Sequence, residues 1–236
     1  MKIRNTDTRR VASELEIIEE QLPISGARVL ELGCGRAWMT RRIAKLLQPA
    51  RIIATEVDRI QHEKNQQIDD LPGVSFVYGG AQSIDLPEAS VDLVLMLKSL
   101  HHVPPEQMDQ GLTEICRVLG PGGLAYISEP VFQGDFNDIM RLFHDERKVR
   151  QCAFDALQRA IDGGRFELVN QIFFLSPSHY RDFEEFEERI LKVTHTQHQI
   201  DPQLHQRIRQ AFERHMTRDG ADFLQPCRVD LLRKTD

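Results

Sequence analysis

Apolar positions along the chain follow two rhythms, and the switches between them mark out alternating helices and strands. Val11, Leu15, Ile18 and Leu22 recur at i, i+4, i+7 and i+11, the spacing of one helical face, and Pro23 ends it. Short apolar runs follow: Val29–Leu32, Arg51–Glu56, Val74–Tyr78, Val91–Leu97 and Leu124–Ser128. These read as strands, and the almost unbroken run at Val91–Leu97 suits a strand covered on both faces. Helical spacing fills the gaps. Trp38 to Leu47 forms one segment, with Trp38 expected to pack on the sheet, and Ile60 to Leu71 a second, closed by Pro72-Gly73. Pro104-Pro105 starts a third, with Met108, Leu112, Ile115 and Leu119 on one face. Gly120-Pro121-Gly122-Gly123 reads as a hard turn before the fifth strand. Five strands alternating with helices predict a doubly wound, mostly parallel α/β sheet.

The second half is less regular. Phe136 to Ile161 is helical in pattern and closes at Gly163-Gly164, and Phe166 to Leu175 reads as a strand. Phe183 to Val193 fits a helix, a strand, or one after the other. Asp201-Pro202 opens a helix that carries Leu204, Ile208 and Phe212, with Gly220 as its stop. Phe223 to Arg233 contains Pro226, which predicts a final strand near a sheet edge.

With 236 residues, the chain is long enough for one well-buried domain with elaborations. Its four cysteines are scattered without a C-x-x-C pair, as reduced cytoplasmic thiols are. Neither an apolar leader nor a membrane-length run is present in the sequence, so a cytoplasmic protein with no membrane partner is expected. A net charge of −6 disfavours a broad phosphate-tracking surface and makes nucleic acid an unlikely partner. A small-molecule substrate fits better, and the pattern carries no signal of oligomeric state.

The chemistry concentrates where the first strand breaks into Glu31-Leu32-Gly33-Cys34-Gly35-Arg36-Ala37. Two glycines permit a sharp turn and a close approach of ligand to main chain, and the next helix points its N-terminal amides at that turn. A dinucleotide fingerprint G-x-G-x-x-G would need a third glycine where Trp38 stands. An acid, Glu31, precedes the first glycine by two residues. Glu56 ends the second strand, where a carboxylate can accept hydrogen bonds from ribose hydroxyls. Gly80-Ala81-Gln82 follows the third strand. Ser99-Leu100-His101-His102-Val103 follows the fourth, and Arg117-Val118-Leu119-Gly120-Pro121-Gly122-Gly123 precedes the fifth.

These four patterns, in this order, resemble the class I S-adenosylmethionine-dependent methyltransferases, and the Leu-His-His-Val element with Arg-Val-Leu-x-Pro-Gly-Gly is similar to their type 11 branch. The resemblance covers residues 26–130. It implies a Rossmann-like, seven-stranded, mostly parallel sheet with a helical cap in the second half. It further implies an N-terminal helix over the cofactor site (1–25), a cofactor-binding core (26–132), a helix-rich cap for substrate (133–220) and a final strand (221–236). S-adenosylmethionine would be the cofactor, held by Glu31, Gly33, Cys34, Gly35, Glu56, Val57, Gly80, Ala81, Gln82, Leu97 and Lys98. The chain departs from the family at Ala37, where a third glycine is common, and at Gly80 or Gln82, where the family often has an aspartate beside the adenine.

Because the sulfonium donor is already electrophilic, such a site mainly aligns nucleophile, methyl carbon and sulfur in a dry pocket. Oxygen and nitrogen acceptors benefit from a base. The base candidates are His101, His102 and Glu129, each with a packing role as its plainer reading. Glu31 likewise reads as a loop-orienting acid as well as a cofactor contact. Phe173-Phe174 and His179-Tyr180 read as core or as a substrate wall. His195, His198, His205 and His215 form no compact ligand spacing, so no metal site is expected. An enzyme methylating a small molecule is the leading expectation. The alternatives are an RNA-modifying methyltransferase, a non-catalytic cofactor-binding or partner-binding module, and a dehydrogenase.

Overall fold

The computed structural model describes residues 1–193 and 198–235. Its sheet runs in the order β3-β2-β1-β4-β5-β8-β6. The strands are β1 (Arg28–Leu32), β2 (Arg51–Glu56), β3 (Val74–Tyr78), β4 (Val91–Leu97), β5 (Leu119–Pro130), β6 (Phe166–Tyr180) and β8 (Gly220–Lys234). A two-residue strand, β7 (Met216–Thr217), pairs with the start of β8. Neighbours among β1 to β5 are parallel, and β8 runs antiparallel between β5 and β6. β6 is therefore parallel to the first five, and the expected mostly parallel sheet of seven long strands is present.

Alternation along each strand explains the apolar runs. Leu30, Leu32, Val94, Met96, Ala125 and Ile127 face one core. There they meet α4 (Met108–Val118) and α6 (Arg147–Asp162). Val29, Leu93, Leu95 and Tyr126 face the other, against α1 (Glu14–Gln21) and α2 (Trp38–Leu46). With both faces covered, no polar alternation survives in β4. A short α3 (Arg59–Asn65) packs beside β2 and β3. A third cluster lies beyond the C-terminal end of β6. It is built on Phe183, Phe186, Phe212 and Phe223 with α5 (Asp135–Met140), α7 (Phe183–Phe186) with its following π-turn (Glu187–Leu191), and α8 (Pro202–Glu213).

Several expectations are corrected here. α1 begins at Glu14 because Ser13 and Glu16 form a reciprocal capping box, and Val11 lies outside it, bridged to Leu175. Trp38 is 71% exposed rather than packed on the sheet. The second helical segment stops at Asn65, well short of Leu71. The Gly120–Gly123 turn is absorbed into β5 as an irregularity, where pairing jumps from Val91–Leu119 to Leu93–Leu124. Gly220 is not the stop of α8, which ends at Glu213, but the first residue of β8. Its φ of +115° and the close approach of the Tyr180 carbonyl, 2.6 Å from where a Cβ would sit, demand glycine.

β8 is an interior strand despite Pro226. Leu175, opposite Pro226, sends its N–H and C=O outward to Arg10 and Ala12. The proline nitrogen therefore faces the other way, just past the end of β5, where only Val131 N–H donates to the Pro226 carbonyl. No ladder bond is lost there. Not all of 133–220 stands apart from the sheet. α6 packs its small face, Ala153, Ala156 and Ala160, into the same core as α4.

Candidate active site

The strand ends β1, β2 and β4 and the turns after them enclose a cleft of about 620 Å³, within the usual range for small-molecule sites. Its floor is the glycine loop. The Gly33 and Cys34 N–H groups both donate to the Thr55 carbonyl, at 3.0 and 2.8 Å, tying the loop to the end of β2. Gly33 adopts φ +79°, and a Cβ there would sit 2.9 Å from Ser99 Cβ. Ser99 in turn donates to the Leu32 carbonyl at 2.7 Å. Asn65 donates to the Gly35 carbonyl at 2.8 Å. The loop is thus held from three sides.

Glu56 is the clasp. Its Oε2 accepts Gly35 N–H at 2.8 Å, and its Oε1 accepts Val57 and Asp58 N–H at 2.8 and 2.9 Å. A carboxylate offers about four acceptor positions, so three backbone donors leave one on Oε2 for a ligand hydroxyl. Glu31 sits beneath the loop, fully buried, accepting the Thr40 hydroxyl at 2.6 Å. Burial pushes its carboxyl up to about 7, against the Thr40 hydrogen bond and with the nearby Glu56 charge adding to the rise.

Past β4, Lys98 takes a left-handed φ of +58° and sets its ammonium 3.6 Å from the buried Glu14 carboxylate, which Tyr126 also holds at 2.8 Å. His101 follows in a 3-10 turn. Its Nδ1 lies 2.5 Å from Glu129 Oε2, and Glu129 Oε1 accepts the Leu100 and His101 amides. Its Nε2 lies 3.4 Å from Glu146 Oε1. Burial alone would lower the imidazole, but Glu129 and Glu146 together outweigh it and raise it to about 9. Protonated at neutral pH, His101 is a poor general base.

Of the expected site residues, Gly33, Cys34, Gly35, Glu56, Val57, Gly80, Ala81, Gln82, Leu97, Lys98 and His102 line the cleft. Glu31, His101 and Glu129 stand behind its wall. Phe174 and Tyr180 are core residues, and none of Phe173, Phe174, His179 and Tyr180 reaches the cleft. His195 lies outside the described residues. Sequence reasoning missed Asp58 and Gln61, although Asp58 is legible as an N-cap, accepting the Ile60 and Gln61 amides at 3.0 and 3.4 Å. It also missed Arg189 and Val193, which reach the cleft from the third cluster and leave no local signal.

Residues 29–123 match a family model described as a methyltransferase domain. Over this stretch the chain is similar to methyltransferase domains. Among curated relatives, a fatty-acid O-methyltransferase of Mycolicibacterium smegmatis is 34% identical over 103 residues, 44% of this chain and 37% of that protein. Phthiotriol/phenolphthiotriol dimycocerosates methyltransferase 1 of Mycobacterium ulcerans is 34% identical over 100 residues, 42% of this chain and 36% of that protein. The match thus spans less than two fifths of these relatives. Solved structures share the fold over nearly the whole chain. The YcgJ protein of Bacillus subtilis matches at TM-score 0.59 with 16% identity, over 94% of this chain and 97% of that one. The [4+2]-cyclase SpnF matches at 0.56 with 18% identity, over 93% and 78%. A cyclase on this scaffold shows that the fold alone does not fix the chemistry. Among the described residues no helix is long and apolar enough to cross a membrane.

Proposed function

We propose that the chain transfers the methyl group of S-adenosylmethionine to a small-molecule acceptor. The observation that carries this reading is the clasp of Glu56 on the glycine loop, a carboxylate with one acceptor position left at the cleft wall. The residues fit the cofactor in kind. A Cβ on Gly35 would meet nothing within 4 Å, so the main chain there is open to close ligand approach. Glu56 would take a ribose hydroxyl, Val57 and the Ala81–Gln82 backbone would flank the adenine, and Lys98 offers a cation to a carboxylate. When bound, the cofactor supplies an electrophilic sulfonium methyl.

The protein's remaining task is alignment and exclusion of water. Of the three base candidates only His102 faces the cleft. His101 and Glu129 act through position: Glu129 fixes the turn by accepting two amides and pins the His101 ring beside His102, with ring centroids 4.1 Å apart. Arg189 and Val193 form the far wall, where acceptor choice would be made. The relatives' names, fatty-acid and phthiotriol dimycocerosates, support an acceptor that is a small molecule rather than RNA or protein.

Titration calorimetry with S-adenosylmethionine, S-adenosylhomocysteine and NAD tests the reading. Micromolar binding of both adenosyl compounds with none of NAD is the expected result. No binding of either adenosyl compound would overturn it in favour of a partner-binding module. Tight, salt-sensitive tRNA binding would move the acceptor to RNA.

A further inference from the structure

We infer that His101, His102 and Glu146 form a binding site for a divalent transition-metal ion at the cleft wall. One ligand atom from each, two imidazole nitrogens and a carboxylate oxygen, lies within 4.8 Å of the others. Around an ion with bonds of about 2.0–2.2 Å, tetrahedral ligand atoms stand about 3.3–3.6 Å apart. His101 Nε2 and Glu146 Oε1 are already 3.4 Å apart. His102 is exposed, so a side-chain rotation brings it the remaining distance without disturbing the core.

The surroundings are those of a ligand set. The Glu129 carboxylate on His101 Nδ1 makes that nitrogen the donor and aims Nε2 at Glu146, the carboxylate–histidine pairing that orients metal-bound imidazoles. Glu146 is the N-cap residue of α6 yet makes no capping bond. Its carboxylate turns toward the histidines instead, with Oε2 gripped by Arg150 at 2.5 Å and Oε1 3.0 Å from His144 Nε2. Both buried ligands are therefore locked by partners outside the set.

Two imidazoles and a carboxylate suit zinc or another borderline ion better than magnesium or calcium. On binding, the ion takes the place of the proton on His101 Nε2, which leaves to solvent. Because His102 lines the cleft, the fourth position opens into it, the arrangement of a catalytic rather than a structural site. There the ion would hold a water or an acceptor oxygen. That last role rests on the methyl-transfer reading, whereas metal binding does not.

The test uses the full chain, stripped with chelator and titrated with Zn2+ and separately with Co2+, without cofactor or substrate. One equivalent of Zn2+ should bind, and Co2+ should give the visible absorption of a four- or five-coordinate ion. His102→Ala, at an exposed position, and Glu146→Gln should each weaken Zn2+ at least tenfold. His179→Ala, an exposed histidine paired with Asp222 instead, should leave it unchanged. Thermal unfolding checks that Glu146→Gln is folded, and His102→Ala decides alone if it is not. No Zn2+ binding at about 100 μM, or binding undiminished in His102→Ala, would overturn the proposal and leave the cluster an ion-pair network.

Discussion

Replacing Glu31 by Gln should change how stability depends on pH, and by an amount the structure sets. The Glu31 carboxyl is 2% exposed and is pushed up by burial from 4.5 to about 7 in the folded chain. In the unfolded chain it ionises near its ordinary value. Between those two values the unfolded state binds fewer protons than the folded state, so stability falls as pH rises, by up to about 1.4 kcal/mol per unit. Above about pH 7 both states are ionised and the loss stops growing. Two to three units at this slope give a total of about 3 kcal/mol. Gln has the same shape and its amide oxygen still accepts the Thr40 hydroxyl, but it carries no titrating proton. Urea unfolding of both proteins from pH 4.5 to 8.5 should give curves that diverge through this window, with the variant gaining about 3 kcal/mol on the parent by pH 8. A constant offset from the buried amide is compatible with this. Parallel curves, or a variant that loses ground as pH rises, would refute the burial argument.

Four further outcomes follow from the same geometry. Glu56→Gln should weaken S-adenosylhomocysteine by about 10- to 100-fold, the worth of one hydrogen bond to a charged group, while His102→Ala leaves the calorimetric affinity little changed; equal losses would remove Glu56 from the ribose. Gly33→Ala should cost about 1–2 kcal/mol from its left-handed φ alone, with more from the push on Ser99, read as a lower Tm; an unchanged Tm would mean that the loop relaxes freely. Phe212→Ala, at the centre of the third cluster, should cost about 3–5 kcal/mol in urea unfolding, and a loss below about 1 would show that the cluster contributes little. Asp92→Asn should cost under about 1 kcal/mol, since its pair with Arg28 is nearly half exposed on both sides, and a larger loss would give the bridge a weight its solvation does not support.

What could be read from the sequence was what local chemistry dictates. β1, β2 and β4 were predicted to the residue or nearly so, because both-face burial writes nearly continuous apolar runs, and β3, largely exposed at the sheet edge, because Gly73 and Gly79 bracket it. Most of the cleft floor followed from them, since Gly33, Gly35, Glu56 and Gly80 sit at strand ends whose position the topology fixes. What failed depends on distant partners. Pro226 predicts an edge strand only while the end of β5 beside it is unknown. Trp38 has the composition of a core residue, yet the helix face that carries it turns outward. Glu146 meets His101 across 45 positions of sequence through the placement of α6, which no spacing rule anticipates. Arg189 and Val193 reach the cleft because the third cluster folds over it, and their neighbours in sequence do not mark them.

The interior position of β8 also bears on how the chain is made. β6 is complete at Tyr180, but its sheet partner on the β5 side starts only at Gly220 and ends at Lys234. At about 5–20 residues per second, a ribosome takes on the order of several seconds to cover that interval. Throughout it, a fifteen-residue strand has no neighbour on the side that β8 will fill, and β5 is equally bare on its outer side. Such edges template wrong pairing between nascent chains. Glu167, Asn170 and Gln171 are among the polar side chains along β6 that would discourage it. Inserting the final strand thus closes two open edges in one step, and the yield of folded protein should depend on how quickly residues 220–234 follow β6 out of the ribosome.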